Sequence, residues 1–248
     1  MATIKKKIVG GKTYFYLQHT VRTKEGVQTR EKYIGTKPPN KPEELKLQFL
    51  AEIYQERWYP ALDRIRENYT REERKMPSTA LAKQIRTFSV KFTYDTNRIE
   101  GSKLTFRETA DLLERGLTPR SKPMEDIKEA EAHEKLFYEM LDFRKDLALQ
   151  TVLYWHKKLF EATKPDIAEK VRQHQVGISG SRFMPPSPID VPILLDDFFR
   201  WYAKSKGKLH PVELAACVHL KFVTIHPFGD GNGRMSRLLM NFVLHRHG

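Results

Sequence analysis

Twelve consecutive residues near the end of the chain gather an unusual amount of chemistry: His226-Pro227-Phe228-Gly229-Asp230-Gly231-Asn232-Gly233-Arg234-Met235-Ser236-Arg237. Glycines let backbone N–H groups approach a ligand without a Cβ in the way. The start of a following helix adds unpaired N–H groups and the positive end of its dipole, which together bind anions, phosphate above all. Arg234 and Arg237 are three residues apart and share a helical face, and planar guanidinium groups suit bidentate phosphate contacts. Asp230 supplies a hard oxygen ligand for a magnesium ion carried on the same phosphates. His226 is the side chain here whose ordinary pKa suits proton transfer near neutrality. The set describes a phosphoryl or nucleotidyl transfer centre with a histidine base.

Such a turn needs helices to hold it, and the flanks provide them. An apolar run from Leu214 to Ile225 leads in, and Leu238, Leu239, Phe242 and Val243 lead out. Helical patterns also cover 78–100, 123–141, 148–161, 191–205 and 211–224. Pro77-Ser78 suits the first N-terminus of these, and Gly101 suits its C-terminus. Thr105 and Glu108 have capping-box spacing and open a short helix. Leu45, Phe49 and Ile53 recur every four residues, as on one helical face. Gly177, Gly180, Pro185, Pro186 and Pro188 make 174–190 a loop or hairpin between helices. At the front, Gly10-Gly11 between Lys7-Ile8-Val9 and Tyr14-Phe15-Tyr16-Leu17 signals a tight hairpin. A third run, ending at Tyr33-Ile34-Gly35, follows the turn Lys24-Glu25-Gly26 and completes a β-meander. The segment Lys37-Pro38-Pro39-Asn40-Lys41-Pro42 reads as a stiff linker. The predicted fold class is mainly α, a helical bundle with an inserted β-hairpin flap, preceded by a small N-terminal β-meander. The predicted divisions are 1–39 for the basic meander, 40–89 for a linker and first helices, and 90–248 for the core.

Composition sets outer bounds. The 248 residues carry 44 Lys plus Arg against 31 Asp plus Glu, a net charge of +13, and residues 1–39 alone hold nine cations and two carboxylates. That concentration makes nucleic acid a candidate partner of the N-terminal module, with Tyr14, Phe15 and Tyr16 as stacking groups. A single cysteine, Cys217, excludes a disulfide framework and fits a reducing, cytoplasmic setting. Cys217 lies among Ala215, Ala216 and Val218 and reads as packing. No apolar run is long enough for a membrane span, and the basic N-terminus lacks the apolar stretch of a secretory signal. His133-Glu134 begins a zinc-protease pattern that Phe137 breaks, and Lys6 stands where a P-loop ending at Gly11-Lys12-Thr13 needs glycine. His156 and His219 lie on apolar helices and read as core or surface residues. Trp58, Trp155 and Trp201 read as packing residues.

The twelve-residue turn resembles the signature of the Fic family, His-Pro-Phe-x-Asp/Glu-Gly-Asn-Gly-Arg-x-x-Arg, at every fixed position. Leu153 to Phe160 resembles the family's early core helix, and 172–192 resembles its flap. The likeness covers roughly 90–248. It implies a helical enzyme that moves AMP from ATP to a Ser, Thr or Tyr hydroxyl of a target protein. It implies that His226 deprotonates the hydroxyl and that Asp230 holds Mg2+. Gly231, Asn232 and Gly233 would form an anion hole. Arg234 would bind the γ-phosphate, Arg237 would support the phosphate chain, and Phe228 would anchor the core. The target's backbone would add as a strand to the 174–190 flap.

Thr96-Asn97-Arg98-Ile99-Glu100-Gly101 resembles a second family signature, that of an N-terminal inhibitory helix, here near 90–101. The resemblance implies that Glu100 pairs with Arg234 and keeps it from ATP. It also keeps open a role for the same glutamate in AMP removal, a different phosphate-containing donor, and a homodimeric state. A reading from another class is a nucleic-acid-binding regulator acting through the basic N-terminal module.

Overall fold

The structure is a computed structural model and describes residues 2–23, 26–178 and 180–247. Two compact units divide it, Met1–Glu72 and Glu73–Gly248.

The first unit is an antiparallel meander of β1 (Thr3–Val9), β2 (Lys12–Thr23) and β3 (Gly26–Gly35), with helix α1 (Pro42–Glu73). Gly10 and Gly11 both have positive φ, +57° and +75°, as the two-residue turn joining Val9 to Lys12 demands. The expected turn at Lys24-Glu25 lies outside the described residues. A bulge at Phe15/Tyr16 shifts the β2–β3 register. Leu17 and Ala2 pack with Phe49 and Ile53 of α1, and Leu45 flanks them, so the four-residue spacing does mark the buried face. That packing draws α1 into the sheet's unit, and the proline-rich segment lies within the unit. Trp58, expected to be a core or helix-packing residue, is 52% exposed beneath the Arg57 guanidinium. It sits five residues beyond Ile53, about 140° around the helix from the buried face.

The second unit is helical: α2 (Ser78–Ile99), α3 (Phe106–Arg115), α4 (Met124–Asp142), α5 (Leu149–Phe160), α6 (Val191–Ser205), α7 (Pro211–Ile225) and α8 (Asn232–His247). The mainly α class with a small antiparallel sheet is as predicted. Local chemistry explains the boundaries. Thr105 and Glu108 form the reciprocal capping box that opens α3. Gly101 closes α2 at φ +99°, and Pro211 starts α7 where a missing N–H is harmless. α2 runs unbroken across the predicted 89/90 division. One core joins α4 through α8, with Trp155, Phe160, Phe222, Phe228 and Phe242 fully buried. Cys217 is half-buried, and burial raises its thiol pKa. Among the described residues, no helix is long and apolar enough to cross a membrane.

The 174–190 segment differs from the hairpin expected of it: its described residues form no strand. Pro185, Pro186 and Pro188 remove three ladder donors from a short stretch. Side chains hold the segment in place of strand pairing, as set out below.

His133 is wholly buried between α4 and α2, with Nδ1 2.8 Å from Thr93 Oγ1. Burial, reinforced by the Arg234 and Arg237 charges, pushes its pKa down to about 3. Because the folded value lies below the unfolded one of about 6.5, its stabilisation is complete above pH 6.5. It is lost as pH falls toward 3, at up to about 1.4 kcal/mol per pH unit. Thermal melts from pH 7 to pH 4 are expected to show this loss, with a shallower slope in His133→Gln. An unchanged slope would exclude His133 as its source.

Candidate active site

Helix α7 ends at Ile225, and His226 caps it in the left-handed region (φ 53°, ψ 57°), with its N–H on Phe222 O at 3.1 Å. A non-glycine residue there is uncommon and must be held by its surroundings. Arg172 does the holding: its Nε donates to His226 O at 2.7 Å, and its backbone N–H donates to Pro227 O at 2.9 Å. Nδ1 of His226 lies 3.1 Å from Val223 O. A carbonyl only accepts, so Nδ1 carries the proton and Nε2 keeps its lone pair. Burial, helped by the Arg172 charge, holds the imidazole pKa below its usual value. The neutral base form is therefore available at neutral pH.

The turn after His226 is closed by its own side chains. Phe228 is buried against Phe222 and stacks on His156, with centroids 3.8 Å apart. Asn232 spans the turn, accepting from Phe228 N and donating to Phe228 O, both at 2.9 Å. Its amide thus braces the loop. Gly231 has φ +78°, and a Cβ there would run into Phe160. Its N–H is turned onto Asp230 Oδ1 at 2.5 Å. Gly233, at the amino end of α8, has no room for a Cβ either, because Glu100 Oε1 occupies that space.

The two arginines part company. Arg234 is only 2% exposed. Its Nη1 meets Glu129 of α4 and, at 3.3 Å, Asn97 Oδ1; its Nη2 lies 3.4 Å from Asp230 Oδ1, and its plane lies over the Phe160 ring. Arg237 faces α2: Nε donates to Thr96 Oγ1 at 2.6 Å, and Nη2 donates to Glu100 Oε1 at 2.5 Å and Thr96 O at 3.3 Å. The expected Glu100–Arg234 pair is therefore corrected to Glu100–Arg237. A buried Glu129 needs a full countercharge, and Arg234 is the guanidinium that α4 can reach.

Asp230 sits in a further network. Lys164 Nζ donates to Asp230 Oδ2 and lies near Glu125 Oε1, both at 2.7 Å, and near Glu129 Oε1 at 3.2 Å. Burial alone would raise the Asp230 pKa, but the Lys164 hydrogen bond and the Arg234 charge outweigh it and hold the carboxyl below its usual value. Lys164 is driven the other way: burial opposes its charge, yet its carboxylate partners raise its pKa. Among the described residues, no cluster of three metal-ligating side chains occurs. A single ionised carboxylate beside an anion-binding helix end still fits magnesium, which is commonly held by one carboxylate, substrate phosphates and water.

His156 does more than fill the core. Its Nδ1 accepts from Glu169 N at 3.2 Å, and its Nε2–H donates to Asp230 O at 3.1 Å. Both contacts require the same tautomer, and burial pushes its pKa down to about 4. Glu129, Lys164 and Arg172 carry no motif and sequence reasoning did not single them out, while Asn97 stood only at an unspecified position of the 96–101 signature. Glu129 did leave a trace, standing four residues before His133 and beside Ala130 on the buried stripe of α4.

Arg172, 4% exposed, ties the His226 turn to the 174–190 segment. Besides His226 O, its Nη1 donates to His174 O at 3.0 Å and its Nη2 to Pro186 O at 2.6 Å. Gln175 Nε2 adds a bond to Pro185 O at 2.9 Å. Arg172→Leu strands three carbonyls, and a loss of about 3 kcal/mol is expected in chemical denaturation. Arg172→Lys should keep part of this; a loss under about 0.5 kcal/mol for Leu, the range of an ordinary surface change, would show that the tie is idle.

The chain is similar to known proteins. Residues 146–244 match the Fic/DOC family. The chain is 33% identical over 175 residues to a protein adenylyltransferase Fic of Drosophila ananassae, covering 69% of this chain and 35% of the relative. It is 35% identical over 159 residues to the Drosophila melanogaster protein of the same name, covering 62% and 32%. It thus spans about a third of the length of the curated relatives it matches. Among solved structures, Fic-1 (residues 134–508) of C. elegans aligns with a TM-score of 0.67 at 28% identity, over 86% of this chain and 64% of that one. A Fic domain containing signaling protein of Bacteroides thetaiotaomicron aligns with a TM-score of 0.65 at 31% identity, over 74% of this chain and 73% of that one. With its signature turn intact and its helices superimposing on those structures, the chain belongs to the Fic/DOC family.

Proposed function

We propose that the chain is a protein adenylyltransferase that moves AMP from ATP to a Ser, Thr or Tyr hydroxyl of a target protein. The observation that carries the reading is the arrangement at the α7–α8 turn: an imidazole with a free Nε2 beside a helix end built to take phosphate. The name shared by its relatives supplies the nucleotide and the protein substrate.

In this reading His226 Nε2 removes the hydroxyl proton as the target oxygen attacks the α-phosphorus. The bond from that phosphorus to the bridging oxygen breaks, and pyrophosphate leaves. Arg237 is the arginine within reach of the phosphate chain once it is free of Glu100. Arg234, locked by Glu129, steadies Asp230 and the turn instead. The backbone at Gly233 meets the phosphates where the Glu100 carboxylate now lies. Asp230 would hold magnesium, which when bound neutralises phosphate charge. The Arg172-tied 174–190 segment exposes Phe183, Met184 and Ile189 and would receive an extended stretch of the target.

Glu100 and Thr96 act as an inhibitory pair, engaging Arg237 from the end of α2. Transfer of adenine-labelled ATP into protein tests the reading. Label incorporated with magnesium and lost in His226→Ala supports it; label carried by the γ-phosphate alone would replace it with kinase chemistry.

A further inference from the structure

We propose that the open face of the β1–β2–β3 sheet binds duplex DNA through its phosphates and major groove. The proposal concerns residues 1–72 and stands apart from the catalytic reading.

Alternation along the strands sorts this unit's charges onto two faces. One face looks to α1. There Leu17 is buried, His19 meets the Tyr54 ring, Lys32 pairs with Glu52 and Arg30 with Glu56, and Lys6 is exposed without an ion-pair partner among the described residues. The register puts Lys5 and Lys7 of β1, Lys12, Tyr14, Tyr16, Gln18, Thr20 and Arg22 of β2, and Thr29, Glu31 and Tyr33 of β3 on the other. Cross-strand contacts agree, with Gln18 Nε2 3.0 Å from Glu31 Oε1 and Thr20 Oγ1 3.4 Å from Thr29 Oγ1. Lys7 answers Glu31 at 2.7 Å. Lys5, Lys12 and Arg22 have no ion-pair partner among the described residues. Three of the four strand cations without an ion-pair partner among the described residues are therefore on the open side of the sheet.

The arrangement of the rings selects the form of nucleic acid. Stacking of unpaired bases needs free aromatic faces. Here Tyr33, 51% exposed, packs at a tilt against both Tyr14 and Tyr16, and the Lys7 ammonium lies 4.7 Å over the Tyr16 ring. Phe15, between the two tyrosines on β2, points to the opposite face. The stacking row expected from the sequence is thus split between the two faces of the sheet, and its tyrosines pack on Tyr33 and Lys7. What remains is a surface of amide and hydroxyl groups with cations spread along it, flanked by the exposed Val9 and Val27. Two adjacent strands, about 5 Å apart, make a ribbon of the kind that the roughly 12 Å major groove admits. Amide and hydroxyl side chains read base edges there, while lysine and arginine meet phosphates.

Fluorescence anisotropy of the full chain with a labelled mixed-sequence duplex and with its single strand is the test. Binding to the duplex should weaken steeply with salt, and Lys5→Ala/Arg22→Ala should lose about tenfold in affinity and lower the salt slope by about two. A control pair in the second unit, Lys83→Ala/Lys128→Ala, should change affinity by less than about twofold, the scale of a charge outside the contact. An unchanged thermal midpoint confirms folding of both variants. Equal loss in the two pairs, no loss in the first, or tighter binding of the single strand would each overturn the proposal.

Discussion

Glu100→Gly is expected to raise AMP transfer about 10- to 100-fold. The carboxylate holds Arg237 through a charge-assisted bond of 2.5 Å and lies against Gly233, where the phosphate chain would meet the amino end of α8. The pair is partly screened, with side-chain exposures of 17% for Arg237 and 29% for Glu100. A charge-assisted contact of this kind is worth about 1.5–3 kcal/mol, and about 1.4 kcal/mol corresponds to a tenfold rate. Glycine suits the site because Glu100 is the C-terminal cap of α2, outside the helix interior. Thr96 continues to orient the Arg237 guanidinium after the carboxylate is gone. Glu100→Gln separates charge from volume and should lie between wild type and glycine. Initial rates of AMP incorporation, followed by intact mass with ATP and magnesium, measure the effect. If glycine and wild type transfer equally while His226→Ala is inactive, Glu100 is not inhibitory.

His226→Ala should reduce transfer by about 10²- to 10⁴-fold, the range supplied by a positioned general base. Alanine also disturbs the turn, since His226 has φ 53° and alanine adopts that region reluctantly. His226→Asn is the sharper variant: asparagine tolerates the left-handed conformation but cannot act as a base at neutral pH. Both should retain ATP binding, because phosphate contacts fall to Arg237 and the α8 backbone. The pH dependence adds an independent check. Burial lowers the His226 pKa, and the base is the deprotonated form. In the Glu100→Gly background, kcat/KM should therefore hold steady through neutrality and fall only below about pH 6.5. A fall beginning well above pH 7, or an Asn variant with wild-type rates, would remove His226 from that role.

Much of the site was legible because it is local. The twelve residues from His226 to Arg237 fold on one another: Asn232 bonds Phe228 across four positions, and Asp230 bonds its neighbour Gly231. The Thr105 capping box and the Gly10-Gly11 turn are likewise written in short stretches, the first by side chains that answer backbone groups three residues away, the second by glycines that accept a positive φ. Such interactions need no distant partner, so spacing alone announces them.

The pairing of charges across helices was not legible. Arg234 and Arg237 are one turn apart and chemically identical, so no local rule says which of them meets Glu100. Packing of α2 and α4 against α8 decides it, giving Arg237 to Glu100 and leaving Arg234 to the buried Glu129. Lys164 and Arg172 lie in stretches without motifs and gain their roles from residues 66 and 54 positions away, Asp230 and His226. The 174–190 segment likewise depends on where Arg172 delivers its hydrogen bonds, and three prolines deny it the strand pairing of a hairpin. A buried charge must find its partner in space, and space is assigned only when the helices pack.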